Sequence, residues 1–90
     1  MNSKSYTIPH TVMVQSVDDE TLLFDSATEL FFALNDTGAM MWDSISAYNT
    51  LLAVYDELTE AFDVEQEQLA SDIDSFASAL AEQGLIVFES

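Results

Sequence analysis

After its first ten residues the chain carries two hydrophobic periods, one near two residues and then one near 3.6. Residues 11–17 are rich in β-branched side chains (Thr11, Val12, Val14, Val17) and partly alternate, which predicts a strand. Asp18 and Asp19 supply a turn into a second strand over residues 21–25. A further turn at residues 26–28 leads to Leu30–Leu34, completing a three-stranded meander. In that last strand Leu30, Phe32 and Leu34 fall on one face, Phe31 and Ala33 on the other. So small a sheet needs helices on one side to bury its apolar face.

From residue 36 the period changes. Met41, Trp42 and Ile45 recur at helical spacing, predicting a helix over 36–46 with Asn35 or Asp36 as N-cap and Gly38 in its first turn. Asn49 or Thr50 caps a second helix, whose apolar face is Leu51, Val54, Tyr55, Leu58 and Phe62. Asp63 and Gln66 stand at capping-box spacing before a third helix through Leu69, Ile73, Phe76 and Leu80. Gly84 marks its end, where a left-handed C-cap favours glycine. Residues 85–88 are apolar enough to pack back as a short extended piece. The expected class is α+β: a three-stranded antiparallel sheet followed by three helices. Residues 1–10 read as a flexible arm that adds little to the core, and 11–90 as one domain.

Composition narrows the possible functions. Of the 90 residues, 49% are hydrophobic, so the chain folds despite a net charge of -16. Seventeen acidic residues stand against a single basic one, Lys4. Phosphate contacts require Lys and Arg, so this surface repels nucleic acid and suits a basic or neutral partner. A solvated surface adapted to a salty cytoplasm is the plainer account of most individual acids. There is no cysteine, which removes disulfides, thiolate metal sites and thiol nucleophiles. The N-terminus has no apolar run of the kind a signal peptide or membrane anchor needs, so the expectation is a cytoplasmic protein without a membrane partner.

Catalytic chemistry finds little support. His10 is the only histidine, and with no cysteine and no serine elbow it assembles no hydrolase constellation. The acidic groups Asp18-Asp19-Glu20 and Asp72/Asp74 invite a calcium reading, but the second lacks the third ligand and the glycine of an EF-hand loop. It also lies within a helix. Neither an enzyme nor a metal or cofactor site is expected.

Two features point to binding. The strand Leu30–Leu34 closes the meander, leaving an edge to which an extended peptide could add. Alternatively Phe31 and Phe32 are core aromatics, and a helix or self-association blocks the edge. On the third helix, Ala70, Ala77 and Ala81 run beside the apolar stripe, with Ser75 and Ala79 on a neighbouring face. Small residues permit close approach of another backbone, although alanine's high helix propensity is the more ordinary explanation and ranks ahead of a peptide groove.

The run FDSATELFFALNDTGAMMWDSI, followed by TLLAVYDELTEAFDVEQEQLASDIDSFASALAEQGLI, resembles the PqqD-like family, also called RiPP recognition elements. The resemblance rests on Phe31, Phe32, Leu34 and Asn35, then Gly38 and Trp42, Phe62-Asp63-Val64, Asp72 and Gly84-Leu85, in that order and spacing. It spans roughly residues 11–88 and is strongest to the stand-alone leader-binding proteins of lasso-peptide biosynthesis. Two turns depart from the pattern: Ala27 and Thr28 stand where the family often has glycine, and residues 46–49 lack one.

The resemblance implies a winged helix-turn-helix-like fold that binds the leader of a ribosomally made precursor peptide. The leader would add as a strand along residues 29–34, meaning Glu29, Leu30, Phe31, Phe32, Ala33 and Leu34. Its apolar side chains would be buried against Leu23, Phe31, Ala33, Phe76 and Ala79 in a cleft walled by the third helix, with Leu69 and Ile73 on the same helix. Asp72 or nearby acids would meet its cations. Implied partners are the precursor peptide, a leader peptidase and an ATP-dependent cyclase. Recognition of a precursor in pyrroloquinoline quinone biosynthesis, or an acidic protein-protein adaptor, remain alternatives.

Overall fold

The computed structural model describes residues 4–89. Its elements are β1 (Tyr6–Thr7), β2 (Val12–Val17), β3 (Glu20–Asp25), β4 (Leu30–Leu34), α1 (Asp36–Ala47), α2 (Leu51–Ala61), α3 (Gln66–Glu82) and β5 (Val87–Phe88). β2, β3 and β4 form the expected antiparallel meander, and three helices follow it. A second, two-stranded sheet pairs β1 with β5.

Local chemistry explains the turns. The β2–β3 hairpin closes on two residues, with Asp18 at φ 56°, a region that a short polar side chain tolerates. Between β3 and β4 the Asp25 carboxylate accepts from the Ala27 N–H at 2.9 Å, and the Glu29 N–H donates to the Asp25 carbonyl at 2.7 Å. Glu29 is left-handed there, at φ 61°, so the strained position lies just after Ala27 and Thr28.

Each helix end has its own device. Asn35 caps α1, its Oδ1 accepting from the Gly38 N–H at 2.7 Å, and Thr50 caps α2, accepting from the Ala53 N–H at 3.3 Å. α3 differs from expectation. Its N-cap is Glu65, which makes no side-chain cap bond, so the Asp63/Gln66 spacing does not become a capping box. At its other end Gly84 has φ 75°. The Leu85 N–H reaches the Leu80 carbonyl at 2.9 Å and the Gly84 N–H reaches that of Ala81 at 3.0 Å, a Schellman closure. Leu80 and Leu85 are both buried, as that closure's hydrophobic contact requires.

The core joins Leu23 and Leu34 from the sheet to Met41, Trp42 and Ile45 of α1, Leu51, Val54 and Leu58 of α2, and Leu69, Ile73, Ala77 and Leu80 of α3. Ser44, buried on α1, donates to Glu57 of α2 at 2.6 Å and fixes that helix pair. The molecule measures 35 × 34 × 18 Å, a thickness of about two layers. Among the described residues the helices lie against one face of the sheet, where Leu23 and Leu34 are buried, and leave the other, which carries Phe31, exposed.

The described part of the N-terminal stretch is not a loose arm. Tyr6 is 1% exposed, and its hydroxyl donates to the Ile45 carbonyl at 2.7 Å. Its N–H bonds the Asn49 carbonyl, Lys4 accepts from Leu51, and Ser5 accepts from Glu89, so the segment is stitched to both the α1–α2 connector and the C-terminal end. Lys4 also sits 4.2 Å from the Phe88 ring centre. Burial raises the Tyr6 hydroxyl to about 12. Residues 1–3 of the expected arm lie outside the described residues.

Candidate functional site

β4 is an edge strand. The sheet order is β2-β3-β4, so among the described residues no strand pairs with β4 on the side away from β3. Along that side alternate backbone N–H and C=O groups are open to a further strand. Five residues long, β4 offers about 17 Å of template.

Beside this edge runs an open groove of about 280 Å³, lined by Phe32, Ala33, Leu34, Asn35, Thr37, Gly38, Met41 and Phe76. Three elements build it. β4 contributes Phe32 and Leu34 from its inner face, the first turns of α1 contribute Gly38 and Met41, and α3 contributes Phe76 from across the gap. Gly38 keeps the groove's end open and its own turn tight: a Cβ there would stand 3.2 Å from Asn35 Oδ1 and 3.4 Å from Leu34 Cδ2. The volume falls just below the range of small-molecule sites, about 300–1,000 Å³. It suits one or two apolar side chains of a bound chain.

A second concavity, of about 390 Å³, adjoins the first through Ala33, Leu34 and Asn35 and is edged by Asp19, Glu20 and Asp36. An apolar groove thus opens at one end into an acidic notch.

The chain matches the family described as Coenzyme PQQ synthesis protein D (PqqD) over residues 20–86. It belongs to the PqqD family. No curated protein matches it. Among solved structures, "TbiB1 in Complex with the TbiA(beta) Leader Peptide" is similar at a TM-score of 0.79 and 24% identity, over 89% of this chain and 93% of that one. "Lasso peptide synthetase B1 complexed with the leader peptide" is similar at a TM-score of 0.78 and 23% identity, over 92% and 98%. These likenesses establish that the PqqD-family chain shares their fold.

Within this PqqD-family fold the residues expected at the site separate into five groups. Phe32, Ala33, Leu34 and Phe76 line the groove. Leu23, Leu69 and Ile73 are no more than 2% exposed and lie in the core, so they support the groove without offering side-chain surface. Phe31 stands on the outer face of β4 against Phe24, ring centres 4.6 Å apart, on the opposite side of the strand from Phe32. Of the residues expected to bury one or two apolar side chains of the leader, Phe76 therefore faces the groove and Phe31 the outer face of the sheet.

Leu30, 54% exposed, and Glu29 occupy the entry to β4. Asp72 and Ala79 lie on α3, four residues before and three after Phe76, and the Asp72 carboxylate accepts from Gln68 Nε2 at 2.8 Å. Sequence reasoning did not place Asn35, Thr37, Gly38 and Met41 at the site. Asn35 and Gly38 were legible as a helix start, and a helix start packed against a strand edge is what forms the groove's end. Among the described residues there is no group of three or more acidic, histidine or cysteine side chains able to hold a metal, and no helix long and apolar enough to cross a membrane.

Proposed function

We propose that this PqqD-family protein binds the leader segment of a ribosomally synthesised precursor peptide by strand addition and delivers it, without catalysis of its own, to a leader peptidase and a cyclase of a lasso-type pathway. The observation that carries this reading is the free edge of β4 lying beside an apolar groove walled by Phe76. The presence of leader peptides in both similar solved structures supports it.

The energetics follow from the geometry. Backbone pairing along β4 contributes about 0.5–1.5 kcal/mol per hydrogen bond and makes little demand on sequence. Burying roughly 100 Å² of an apolar anchor against Phe32, Leu34, Met41 and Phe76 contributes about 2.5 kcal/mol and supplies choice. Acids at the notch (Asp19, Glu20, Asp36) and on α3 (Asp72) attract a leader's cations from solution, where screening keeps each contribution small. Docking therefore depends more on the apolar anchor than on any one charge.

The test is a fluorescence-polarisation titration with labelled leader from the precursor encoded beside this chain. Saturable binding that unlabelled leader displaces, and that the detached core peptide does not, is the expected result. Equal competition by the core peptide contradicts leader recognition. The family's description keeps a precursor of the pyrroloquinoline quinone type as a second reading, and tighter binding of such a peptide in the same titration would select it.

A further inference from the structure

The outer face of the β2–β3–β4 sheet is largely apolar, and among the described residues no layer lies over it. Strand register brings Met13, Phe24 and Phe31 into one cross-strand row and Gln15, Leu22 and Ala33 into the next. Met13 is 46% and Phe31 60% exposed, whereas Leu23 and Leu34 on the opposite face are buried in the core with the helices. Both ends of this face carry exposed acids, Asp18, Asp19 and Glu20 at the β2–β3 turn and Glu29 at the β3–β4 turn.

We propose that this face is a docking surface, separate from the groove, for a protein partner that presents an apolar patch bordered by Lys or Arg. Charge selects that occupant. A second copy would bring a further -16 with one basic residue against the same acids, so self-association is opposed, and an anionic membrane surface is repelled in the same way. Area agrees: three strands about 4.8 Å apart and about 17 Å long present roughly 250 Å². A stable protein interface buries about 800 Å² per partner. The partner must therefore extend beyond the apolar rows onto the acidic turns, where only a basic rim is complementary.

The placement has a consequence that rests on the proposed leader binding. A strand added to β4 points every second side chain into the groove and the others onto the outer face, beside Phe31 and Ala33. A partner on the outer face would then touch the domain and the outward side chains of its cargo together. It would recognise the loaded protein in preference to the empty one.

The experiment places a photo-reactive benzoylphenylalanine at Met13, with a control at Glu60 on the exposed side of α2, in the cell that encodes the chain. The cross-linked protein is then purified and titrated against wild type, Phe31→Ser and Met13→Ser. The expected result is an adduct with a different protein from position 13 and none from position 60. Binding should weaken at least tenfold in either serine variant and about tenfold between 50 and 500 mM salt, while the leader affinity of Met13→Ser, which lies off the leader-binding strand, stays within threefold. A self-adduct, no protein adduct, or unchanged partner affinity in both serine variants overturns the proposal. Loss of leader binding in the wild type would instead overturn the proposed function and leave the outer-face result standing.

Discussion

Phe31 and Phe32 are neighbours in the sequence and belong to different surfaces. Phe32 turns inward, half-buried, and lines the groove with Phe76, whereas Phe31 turns outward, 60% exposed, and rests on Phe24. The pleat alone divides the pair. An aromatic dipeptide on an edge strand therefore presents one ring to the groove and the other to the open sheet surface. Because the residues share a strand but not a face, single substitutions can separate the two roles.

The largest effect should come from the groove. Phe76→Ala removes the wall contributed by α3 and should weaken leader binding at least tenfold, about 1.4 kcal/mol or more, with the fold retained because Phe76 is only partly buried. Polarisation titration beside a thermal melt checks both. Phe31→Ala should change leader affinity less than threefold and lower stability by about 1 kcal/mol through lost contact with Phe24. If Phe31→Ala weakens the leader more than Phe76→Ala does, the division between the faces is wrong.

A control far from both faces sharpens the comparison. Tyr6→Phe leaves the buried Ile45 carbonyl without its partner and should cost about 1–2 kcal/mol in denaturant melts, with leader affinity unchanged. The same hydroxyl gives an alkaline signature. Its folded pKa, about 12 against 10 unfolded, means that the folded state holds the proton more tightly. Stability should therefore fall as pH rises from 10 towards 12, by at most about 1.4 kcal/mol per pH unit, and Tyr6→Phe should remove that component. The smallest effect is expected at the turn: Glu29→Gly relieves the left-handed φ of 61° and should stabilise by up to about 1 kcal/mol, with little change at the groove.

The periodic parts of this fold were legible in the sequence. Met41, Trp42 and Ile45, and likewise Leu69, Ile73 and Leu80, mark helix faces that are buried as their spacing requires. Alternation in Leu30–Leu34 correctly separates Phe31 from Phe32, but it does not say which face meets a helix, and the leader contact expected of Phe31 came from the family resemblance instead. β5 falls within the short extended piece expected over residues 85–88, whereas β1 and its pairing with β5 escaped because a two-residue strand has no period to detect and its partner lies across nearly the whole chain. Asp63 and Gln66 have capping-box spacing without the bond, since Glu65 holds the cap position in extended conformation. The groove itself was only half legible. Its strand side carried a signal, whereas Asn35, Thr37, Gly38 and Met41 become a site only when α1 folds back against the edge of β4.

The central claim is that the leader adds as a strand to β4 with its anchors in the groove. Amide NMR titration of the domain with the leader of the neighbouring precursor tests it most directly. Shifts should concentrate at residues 30–34, 35–41 and around Phe76, and β4 amides facing away from β3 should gain protection from exchange. Shifts confined to the outward faces of α2 and α3, with β4 unmoved, would contradict strand addition and favour an acidic adaptor that meets its partner through its helices.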